Sequence, residues 1–592
     1  MTLDLDQAAR AALEHQRAGR SDQAIAAWRE IISSHPQFVR SYIELAMCHR
    51  RLGQLAESLA ALQQATAIKP DDAQIATFVA GALRSLGRLE EAASECRRAI
   101  ALSPRSLESY NRLAELLHAL GRLSDVESLY REALQLIGED QPALHYNLGW
   151  SLFGQGRLAE APVELRRAVE LAPDWPHANS RLLFALLHDP DSTPEEIFRE
   201  HLDWARKHAD PLASRIAPHA NQRDPNRCLR VGYVSSDFRE HSVMHFLEPI
   251  LAHHDRAQFE IFCYCDVPPH EVDDATRRIR SYVGQWRDVL NQNEVEIAQS
   301  VRSDGIDILV DLSGHTSARL LRVFAHKPAP VQFSYLGYPA TTGLKTIDYR
   351  LTDAVADPLG QTERWHTEQL IRLDPVAWCY RPPSDAPPVG PAPCTANGFV
   401  TFCSFNMLSK ISPQVIAAWA KILQAVPNSR LICKAQSFSD APTCHRIASL
   451  FESAGIDASR VQLLPRTDCT MEHLAQYGLI DIALDTFPYN GTTTTCESLW
   501  MGVPVLTLAG QTHVARVGAS LLTAIGLQNW IASNADEYFD RAIAFATDPS
   551  QLMELRNTMR QRVADSPLRD EAGMTRKIEH AYRDAWRKWC ND

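Results

Sequence analysis

The stretch on which we base the interpretation of this chain is residues 485–502, which read DTFPYNGTTTTCESLWMG. An apolar run at 482–484 leads into a turn containing Pro, Asn and Gly, and four threonines then precede an apolar face that suits a buried helix. The pattern predicts a strand, a turn and a helix. The threonines at the helix start have two interpretations: an ordinary N-cap, or a set of hydroxyl and backbone donors for a phosphate.

Length and composition limit the class of protein. With 592 residues the chain is too long for a single core, and we expect three or four domains. It is 45% hydrophobic and 22% charged with a formal net charge of −12, which argues against a general nucleic-acid or membrane-surface binder. The 13 cysteines are scattered and lack a paired CxxC spacing, so we expect reduced thiols in a cytoplasm and no zinc site.

The start of the chain and its hydropathy give no sign of export or membrane insertion. Residues 1–6 are acidic where a secretory signal has a basic segment, and no apolar core follows. No run of about 18 apolar residues occurs, which is the length that a spanning helix needs. We expect a cytoplasmic protein without a membrane partner.

The first 175 residues are periodic. Glycines spaced 34, 34, 34 and 35 residues apart stand at Gly19, Gly53, Gly87, Gly121 and Gly156. Small or apolar residues keep the same register seven before and twelve after these glycines, for example Ala12, Ala46, Ala80, Ala114, Ala65, Ala99 and Ala133. The positions match the tetratricopeptide repeat. Residues 1–175 therefore resemble an array of about five repeats, whose groove commonly holds a peptide; a rigid spacer or dimerisation arm is the alternative.

The rest of the chain alternates short apolar runs with amphipathic stretches. After a helical connector at 176–228, candidate strands fall at 230–234, 260–264 and 307–312, with helices near 242–253, 272–282 and 293–303. A Pro-rich linker at 381–397 follows, and strands resume at 399–405, 430–434, 460–464, 482–484 and 503–508. We therefore predict an α-solenoid followed by two Rossmann-like, doubly wound α/β domains, at 229–380 and 398–592, with ligands beyond the carboxyl ends of the strands.

Several polar residues follow these predicted strands. His241 lies after the first strand and suits a base or a phosphate donor, although a loop or capping histidine is the alternative. Lys410 stands at a strand-to-helix junction, where it is able to pair with a diphosphate; the alternative is a solvated lysine. Behind it, Ser412 and Pro413 form a plausible N-cap and first helical residue. Glu497 is either a ligand for hydroxyl groups or a capping-box residue. The sequence has no ligand-spaced cluster for a catalytic metal, so Lys410 and the helix start would neutralise a leaving diphosphate.

Two further segments of the first α/β domain are rich in polar or aromatic residues. His315 follows the predicted strand 307–312 in the same arrangement as His241. The segment 328–339 contains aromatic residues and a glycine, and it is either a loop that lines a pocket or part of the core.

Four motifs together resemble one family. They are GYVSSDF at 232–238, PAPVQ at 328–332 with LGYP at 336–339, SFN at 404–406 with Lys410, and residues 485–502. In this order behind tetratricopeptide repeats, they resemble the O-linked N-acetylglucosaminyltransferase family, including its SPINDLY branch. The resemblance implies two lobes of the GT-B type and an inverting, metal-independent transfer of N-acetylglucosamine from UDP-GlcNAc to Ser or Thr of acceptor proteins held by the repeat groove. No cofactor is implied beyond the donor substrate.

The resemblance also implies roles for individual residues. By motif, Lys410 would neutralise the donor diphosphate, Thr493 and Thr494 would hold phosphate oxygens, and Glu497 would bind the ribose. His473 matches a histidine that stacks on the base. His241 and Asp304 match candidates for accepting or relaying the proton, and the catalytic base stays open between them.

The chain departs from the family pattern at Met407, where a polar residue is usual, and its array has fewer repeats than animal members carry. Because residues 397–402 and 492–498 look closer to the SPINDLY branch, transfer of fucose from GDP-fucose is the first alternative. A repeat scaffold that senses sugar nucleotides without catalysis is the second, favoured by Met407. A GT-B epimerase acting on a free nucleotide sugar is the third, and it would leave the peptide groove without a role.

Overall fold

The computed structural model describes residues 5–592, so residues 1–4 of the N-terminal segment lie outside the described part of the chain. The chain forms two compact units, Met1–Ser151 and Leu152–Asp592. The first unit consists of consecutive helices: α1 (Leu5–Arg17), α2 (Ser21–Ser34), α3 (Val39–Arg51), α4 (Leu55–Ile68), α5 (Ala73–Ser85), α6 (Leu89–Leu102), α7 (Leu107–Ala119), α8 (Leu123–Ile137) and most of α9 (Pro142–Gly154).

The periodic residues explain why these helices pair. The turns between paired helices contain glycines in the left-handed region, with φ of 73° at Gly19 and Gly53, a conformation that residues with a Cβ rarely adopt. Ala12, Ala65 and Ala99 are fully or almost fully buried, so no large side chain separates the helix axes. The predicted helix pairs are confirmed.

The second unit begins with helices and continues into a sheet. The helices are α10 (Ala161–Leu171), α11 (Pro176–Leu186) and α12 (Pro194–His208). The first lobe then contains β1 (Leu229–Ser235), α13 (Met244–His253), β2 (Phe259–Cys265), α14 (Asp274–Ser281), β3 (Gln285–Asp288), α15 (Glu294–Ser303), β4 (Ile308–Asp311), α16 (Ala318–Ala325), β5 (Val331–Ser334), β6 (Tyr349–Thr352) and β7 (Gln369–Arg372).

The second lobe follows with the same alternation. Its elements are α17 (Cys394–Asn397), β8 (Thr401–Ser404), α18 (Pro413–Ala425), β9 (Arg430–Lys434), α19 (Ala441–Ser453), β10 (Val461–Leu464), α20 (Thr470–Ala475), β11 (Ile482–Leu484), α21 (Thr493–Trp500), β12 (Val505–Leu508), α22 (Val517–Ala524), β13 (Ile531–Ala532), α23 (Ala535–Ala546) and α24 (Pro549–Ala564). The last helix, α25 (Glu571–Asn591), packs against α13 of the first lobe.

Both sheets are parallel and doubly wound, as predicted. The seven-stranded sheet has the order β3-β2-β1-β4-β5-β6-β7, and the six-stranded sheet has the order β10-β9-β8-β11-β12-β13. Strand order reverses between β1 and β4 in the first sheet and between β8 and β11 in the second. In such sheets a crevice opens at the carboxyl ends of the two strands that flank the reversal. The predicted strands at 430–434 and 482–484 match β9 and β11.

The aromatic residues of the segment 328–339 belong to the core of the first lobe, whereas Pro339 at its end lines a small cavity, so each of the two interpretations holds for part of the segment. It contains strand β5. Tyr335 and Tyr338 behind this strand are buried, and the Tyr335 hydroxyl donates to the Ala377 carbonyl at 2.7 Å. Strands β3, β5, β6 and β7, with four residues each, and the two-residue strand β13 were not predicted. Strands this short carry too few alternations to be separated from loops.

The connector docks on the first lobe. α12 begins with a capping box formed by Thr193 and Glu196. α11 was not predicted; its Ser180 hydroxyl lies 3.0 Å from His315 Nδ1, and His315 Nε2 donates to the Thr342 carbonyl at 2.9 Å. His315, which follows a strand end, is therefore a buried structural residue.

The predicted domain boundaries stay predictions. Within residues 5–592, no helix combines the length and apolar character that a membrane crossing requires.

Candidate active site

The turn between β11 and α21 is built around Asp485. Its carboxylate accepts hydrogen bonds from the Thr486 N–H at 2.9 Å, the Gly491 N–H at 2.7 Å and the Thr507 hydroxyl at 2.7 Å. Burial raises the pKa of Asp485 to about 6, and these hydrogen bonds oppose the rise. Asn490, also buried, donates to the Thr486 carbonyl at 2.9 Å. The turn is therefore rigid and presents the start of α21 in a fixed orientation.

Lys410 lies beside this turn, on the segment between β8 and α18. Its ammonium donates to the Asn490 carbonyl at 3.0 Å and lies 4.3 Å from the centroid of the Tyr489 ring. Burial lowers the pKa of Lys410 to about 8, and the charge of Asp485 partly opposes this. Ser412 caps α18 by accepting from the Val415 N–H, as predicted. Lys410 is held by the protein and is not a solvated surface lysine.

The threonines at the start of α21 do not form a side-chain cap. Thr492 occupies the N-cap position without a capping hydrogen bond. The Thr494 hydroxyl instead donates to Asn406 Oδ1 at 2.9 Å, which ties α21 to the loop after β8. The first N–H groups of a helix have no partner within the helix and carry a partial positive charge. The helix start thus keeps its backbone donors available at the reversal between β8 and β11.

His473 and Glu497 meet directly. His473 Nε2 donates to the Glu497 carboxylate at 3.0 Å, and Lys434 Nζ donates to His473 Nδ1 at 2.9 Å. An ammonium only donates, so the ring proton of His473 lies on Nε2. Since Glu497 is the fifth residue of α21 and bonds His473, it is not a capping-box residue. Both side chains lie on the carboxyl-end side of the second sheet.

The first lobe contributes His241. This residue lies between the end of β1 and the start of α13, with Nε2 at 3.9 Å from Asp237 Oδ1 and Nδ1 at 3.4 Å from the Val243 nitrogen. Burial lowers the pKa of His241, while the charge of Asp237 opposes this. The imidazole is therefore available at the crevice end of the first sheet.

Asp304 is not brought to this crevice. It follows α15 and precedes β4, at the amino end of that strand. Its carboxylate pairs with Arg287 at 2.8 Å and accepts from the Tyr264 hydroxyl at 2.8 Å. These partners occupy the carboxylate, so no contact in the described residues supports a role for Asp304 in proton transfer.

Sequence reasoning assigned no individual role to four residues of the candidate site: Asn406, Lys434, Asp485 and Tyr489. Two of them carried a usable signal. Lys434 ends the predicted strand 430–434, and Asp485 follows the predicted strand 482–484, the positions from which ligand groups are expected in these sheets. Asn406 and Tyr489 act through contacts with residues 88 and 79 positions away in sequence, which no local pattern reveals.

The departure at Met407 does not disturb these contacts. The Met407 side chain is 52% exposed, and the neighbouring Asn406 makes the hydrogen bond to α21. Among residues 5–592, no group of three or more His, Cys, Asp or Glu side chains is arranged to hold a metal ion. Lys410 and the start of α21 both bring positive charge to this end of the second sheet.

Comparison with known families shows to which family the chain belongs. The family described as "Glycosyl transferase family 41" matches residues 198–375 and 394–578, which together make up more than half of the chain. The chain belongs to glycosyl transferase family 41. Tetratricopeptide repeats match residues 9–73, 80–140 and 142–174, so the predicted repeat array is confirmed.

Individual members of family 41 agree with this assignment. A tomato (Solanum lycopersicum) protein named "Probable UDP-N-acetylglucosamine–peptide N-acetylglucosaminyltransferase SPINDLY" is 44% identical over 427 residues, which cover 72% of this chain and 45% of the tomato protein. An Arabidopsis thaliana protein of the same name is 43% identical over 425 residues, 71% of this chain and 46% of that protein. The chain thus spans about half the length of these relatives.

A solved structure covers more of the chain. A mutant of the Thermobaculum terrenum O-GlcNAc transferase superposes with a TM-score of 0.76 and 36% sequence identity, covering 93% of this chain and 98% of that one. The predicted fold, a repeat array followed by two lobes of the GT-B type, is confirmed. The resemblance to the O-linked N-acetylglucosaminyltransferase family is confirmed as well.

Proposed function

We propose that this family 41 member transfers N-acetylglucosamine from UDP-GlcNAc to Ser or Thr residues of acceptor proteins, with inversion and without a metal ion. The observation that carries the proposal is the convergence of Lys410 and the start of α21 on one reversal point of the second sheet. A nucleoside diphosphate is the leaving group of this reaction, and both features stabilise its negative charge.

The nucleoside end of the donor is assigned to His473 and Glu497. In the proposed complex, the imidazole stacks on the base and the carboxylate accepts from ribose hydroxyls. Glu497 is five residues into α21, so a diphosphate at the helix start and a ribose at Glu497 suit one molecule. Thr493 and Thr494 at the helix start would hold phosphate oxygens. The hydrogen bond between His473 and Glu497 keeps both side chains at the site before the donor binds.

The acceptor side is assigned to the first lobe and the repeats. His241 would face the acceptor hydroxyl, and the repeat array would bind the protein segment that carries it. A role for Asp304 in proton transfer stays a prediction. Its carboxylate pairs with Arg287, and no contact among the described residues brings it to the crevice. All 13 cysteines are free thiols, which suits the cytoplasm that we propose as the site of action.

Nucleotide binding tests the donor. By calorimetry we expect UDP to bind and GDP to show no measurable heat of binding at the same concentrations. Binding of GDP with none of UDP would contradict the proposal and support fucose transfer from GDP-fucose. Absence of binding by either nucleotide would contradict the assignment of a diphosphate site to Lys410 and α21.

A further inference from the structure

The segment after α11 reaches the donor site through a stack of three side chains. The His188 imidazole lies on the Tyr489 ring with centroids 4.1 Å apart and an interplanar angle of 24°. Lys410 Nζ lies 4.3 Å from the centroid of the same ring. A stacked imidazole and an ammonium at such distances do not fit on one face of a phenol ring. The two groups therefore flank Tyr489 from opposite faces.

The surroundings of His188 fix its ring. The residue is 1% exposed, its Nδ1 donates to the Phe184 carbonyl at 2.9 Å, and its edge meets the Phe153 ring at 4.8 Å. With the proton on Nδ1, Nε2 carries a lone pair that has no partner among residues 5–592. Burial lowers the pKa of His188 to about 3, so the ring is neutral at physiological pH. A neutral ring stacks on Tyr489 without repelling the nearby ammonium.

Tyr489 is held on its other sides by the same turn that presents α21. Its neighbour Asn490 supplies the carbonyl that accepts from Lys410, and its own carbonyl accepts from the Thr486 hydroxyl at 2.7 Å. The ring face attracts the ammonium because the aromatic quadrupole is negative there. The Tyr489 ring thereby holds one side of the Lys410 ammonium, and the Asn490 carbonyl accepts a hydrogen bond from one of its N–H groups.

We propose that His188 and Tyr489 are positioning residues for Lys410. His188 holds the Tyr489 ring in place, and the ring directs the Lys410 ammonium toward the start of α21, so that the connector after the repeats takes part in building the donor site. This inference rests on the proposed role of Lys410 at the diphosphate. It adds to that role because neither His188 nor Tyr489 need touch the donor.

The test compares variants that keep or remove a flat ring. His188→Ala and Tyr489→Leu remove the stack, whereas His188→Phe keeps an aromatic ring and also eliminates the unpartnered nitrogen. Initial rates with UDP-GlcNAc and a Ser/Thr peptide, together with the pH profile of kcat/KM, are measured for each full-length variant. Circular dichroism and melting temperature identify any variant that fails to fold.

We expect His188→Ala and Tyr489→Leu to lower kcat about tenfold to thirtyfold with a smaller change in KM, and His188→Phe to recover most of the loss. Tyr489→Leu removes a ring that stabilises the Lys410 ammonium, whereas Asp485 and the neutral His188 remain in place. The pKa of Lys410 should therefore fall, and the alkaline limb of the kcat/KM profile should move to lower pH. The inference would be overturned if His188→Ala and Tyr489→Leu fold and keep the kcat and the pH profile of the wild type. It would also be overturned if His188→Phe is as slow as His188→Ala. If Lys410→Ala itself left transfer unchanged, the proposed function of Lys410 would fail instead.

Discussion

At the scale of single residues, burial sets the charge states around the donor site. Lys410 in the second lobe has a pKa lowered to about 8, whereas the pKa of Asp485 is raised to about 6. Asp311 is the last residue of β4 in the first lobe, and burial raises its pKa to about 6 as well. Each aspartate accepts backbone N–H bonds that shape the turn at a strand reversal.

The pKa of Lys410 predicts a pH dependence. In the proposed reaction the Lys410 side chain stabilises the leaving diphosphate only while it is protonated, so kcat/KM should fall as pH rises through about 8, by about tenfold per unit at high pH. Lys410→Arg keeps a positive charge at every accessible pH because the guanidinium pKa exceeds about 12. The variant should be slower but should lack this limb. An identical alkaline limb in wild type and Lys410→Arg would exclude Lys410 as its source.

Glu497 supplies a second prediction. Glu497→Ala removes the acceptor for His473 Nε2 and the proposed ribose ligand, so KM for UDP-GlcNAc should rise about tenfold, equivalent to about 1.4 kcal/mol, with little change in kcat. Steady-state kinetics measure both constants. Glu472→Ala, which removes an exposed carboxylate beside His473 on α20, is the matched control and should leave KM unchanged. A kcat effect without a KM effect would contradict the ribose assignment.

The positions of these residues were predictable to different degrees, whereas their roles stay proposals. Lys410, Thr493, Thr494, Glu497 and His473 lie near strand ends or helix starts, and a strand-end rule together with family motifs selects them. The partners that fix them, Asn406, Lys434 and Tyr489, come from distant parts of the chain. Asp304 was selected by motif, but its burial against Arg287 depends on the packing of β3 beside β2, and β3 was not predicted.

At the scale of elements, the junction between β11 and α21 is the most constrained part of the site. A Cβ built on Gly491 would lie 2.7 Å from Thr494 Oγ1, 2.8 Å from Thr495 Oγ1 and 3.1 Å from Asn406 Oδ1. Glycine is therefore needed here for close approach between the turn, the helix start and the loop after β8. The sequence showed a turn at this position, but not the closeness of Asn406.

Gly491→Ala should weaken the donor site. Each contacting atom is a side-chain oxygen that must move, and overpacking of this kind costs about 1–3 kcal/mol. We expect UDP affinity to fall about tenfold in calorimetry, with a modest decrease in melting temperature. Gly478→Ala, in the same lobe and with open space where the added methyl group would lie, is the control and should bind UDP as wild type does. Unchanged UDP affinity in Gly491→Ala would contradict the proposed placement of the diphosphate.

At the scale of the whole second unit, the last helix joins the end of the chain to the first lobe. Glu579 on α25 accepts from His254 Nδ1 at 2.9 Å and from the Asp255 N–H at 2.8 Å, and the Tyr233 hydroxyl lies 2.8 Å from His254 Nε2. The order of the predicted strands and helices along the sequence assigned residues 398–592 to one domain. Helix periodicity predicts an amphipathic α25, but not which sheet its apolar face covers.

Removing this attachment should destabilise the protein. Glu579→Ala leaves the buried His254 Nδ1 and the part-buried Asp255 N–H without their acceptor, which costs about 1–3 kcal/mol, so the melting temperature should fall. Differential scanning calorimetry measures the change. Asp584→Ala on the same helix removes only exposed ion pairs and should have a far smaller effect. Equal melting temperatures for Glu579→Ala and Asp584→Ala would show that the contact adds no stability.

Transfer itself tests the central claim most directly. Full-length wild type and Lys410→Ala are incubated in parallel with UDP-GlcNAc or GDP-fucose and a panel of Ser/Thr peptides, and peptide masses are measured. We expect wild type to add one N-acetylhexosamine from UDP-GlcNAc and nothing from GDP-fucose, and Lys410→Ala to be slower by about 10²–10³-fold. Addition of a deoxyhexose only, or equal rates for wild type and folded Lys410→Ala, would contradict the account.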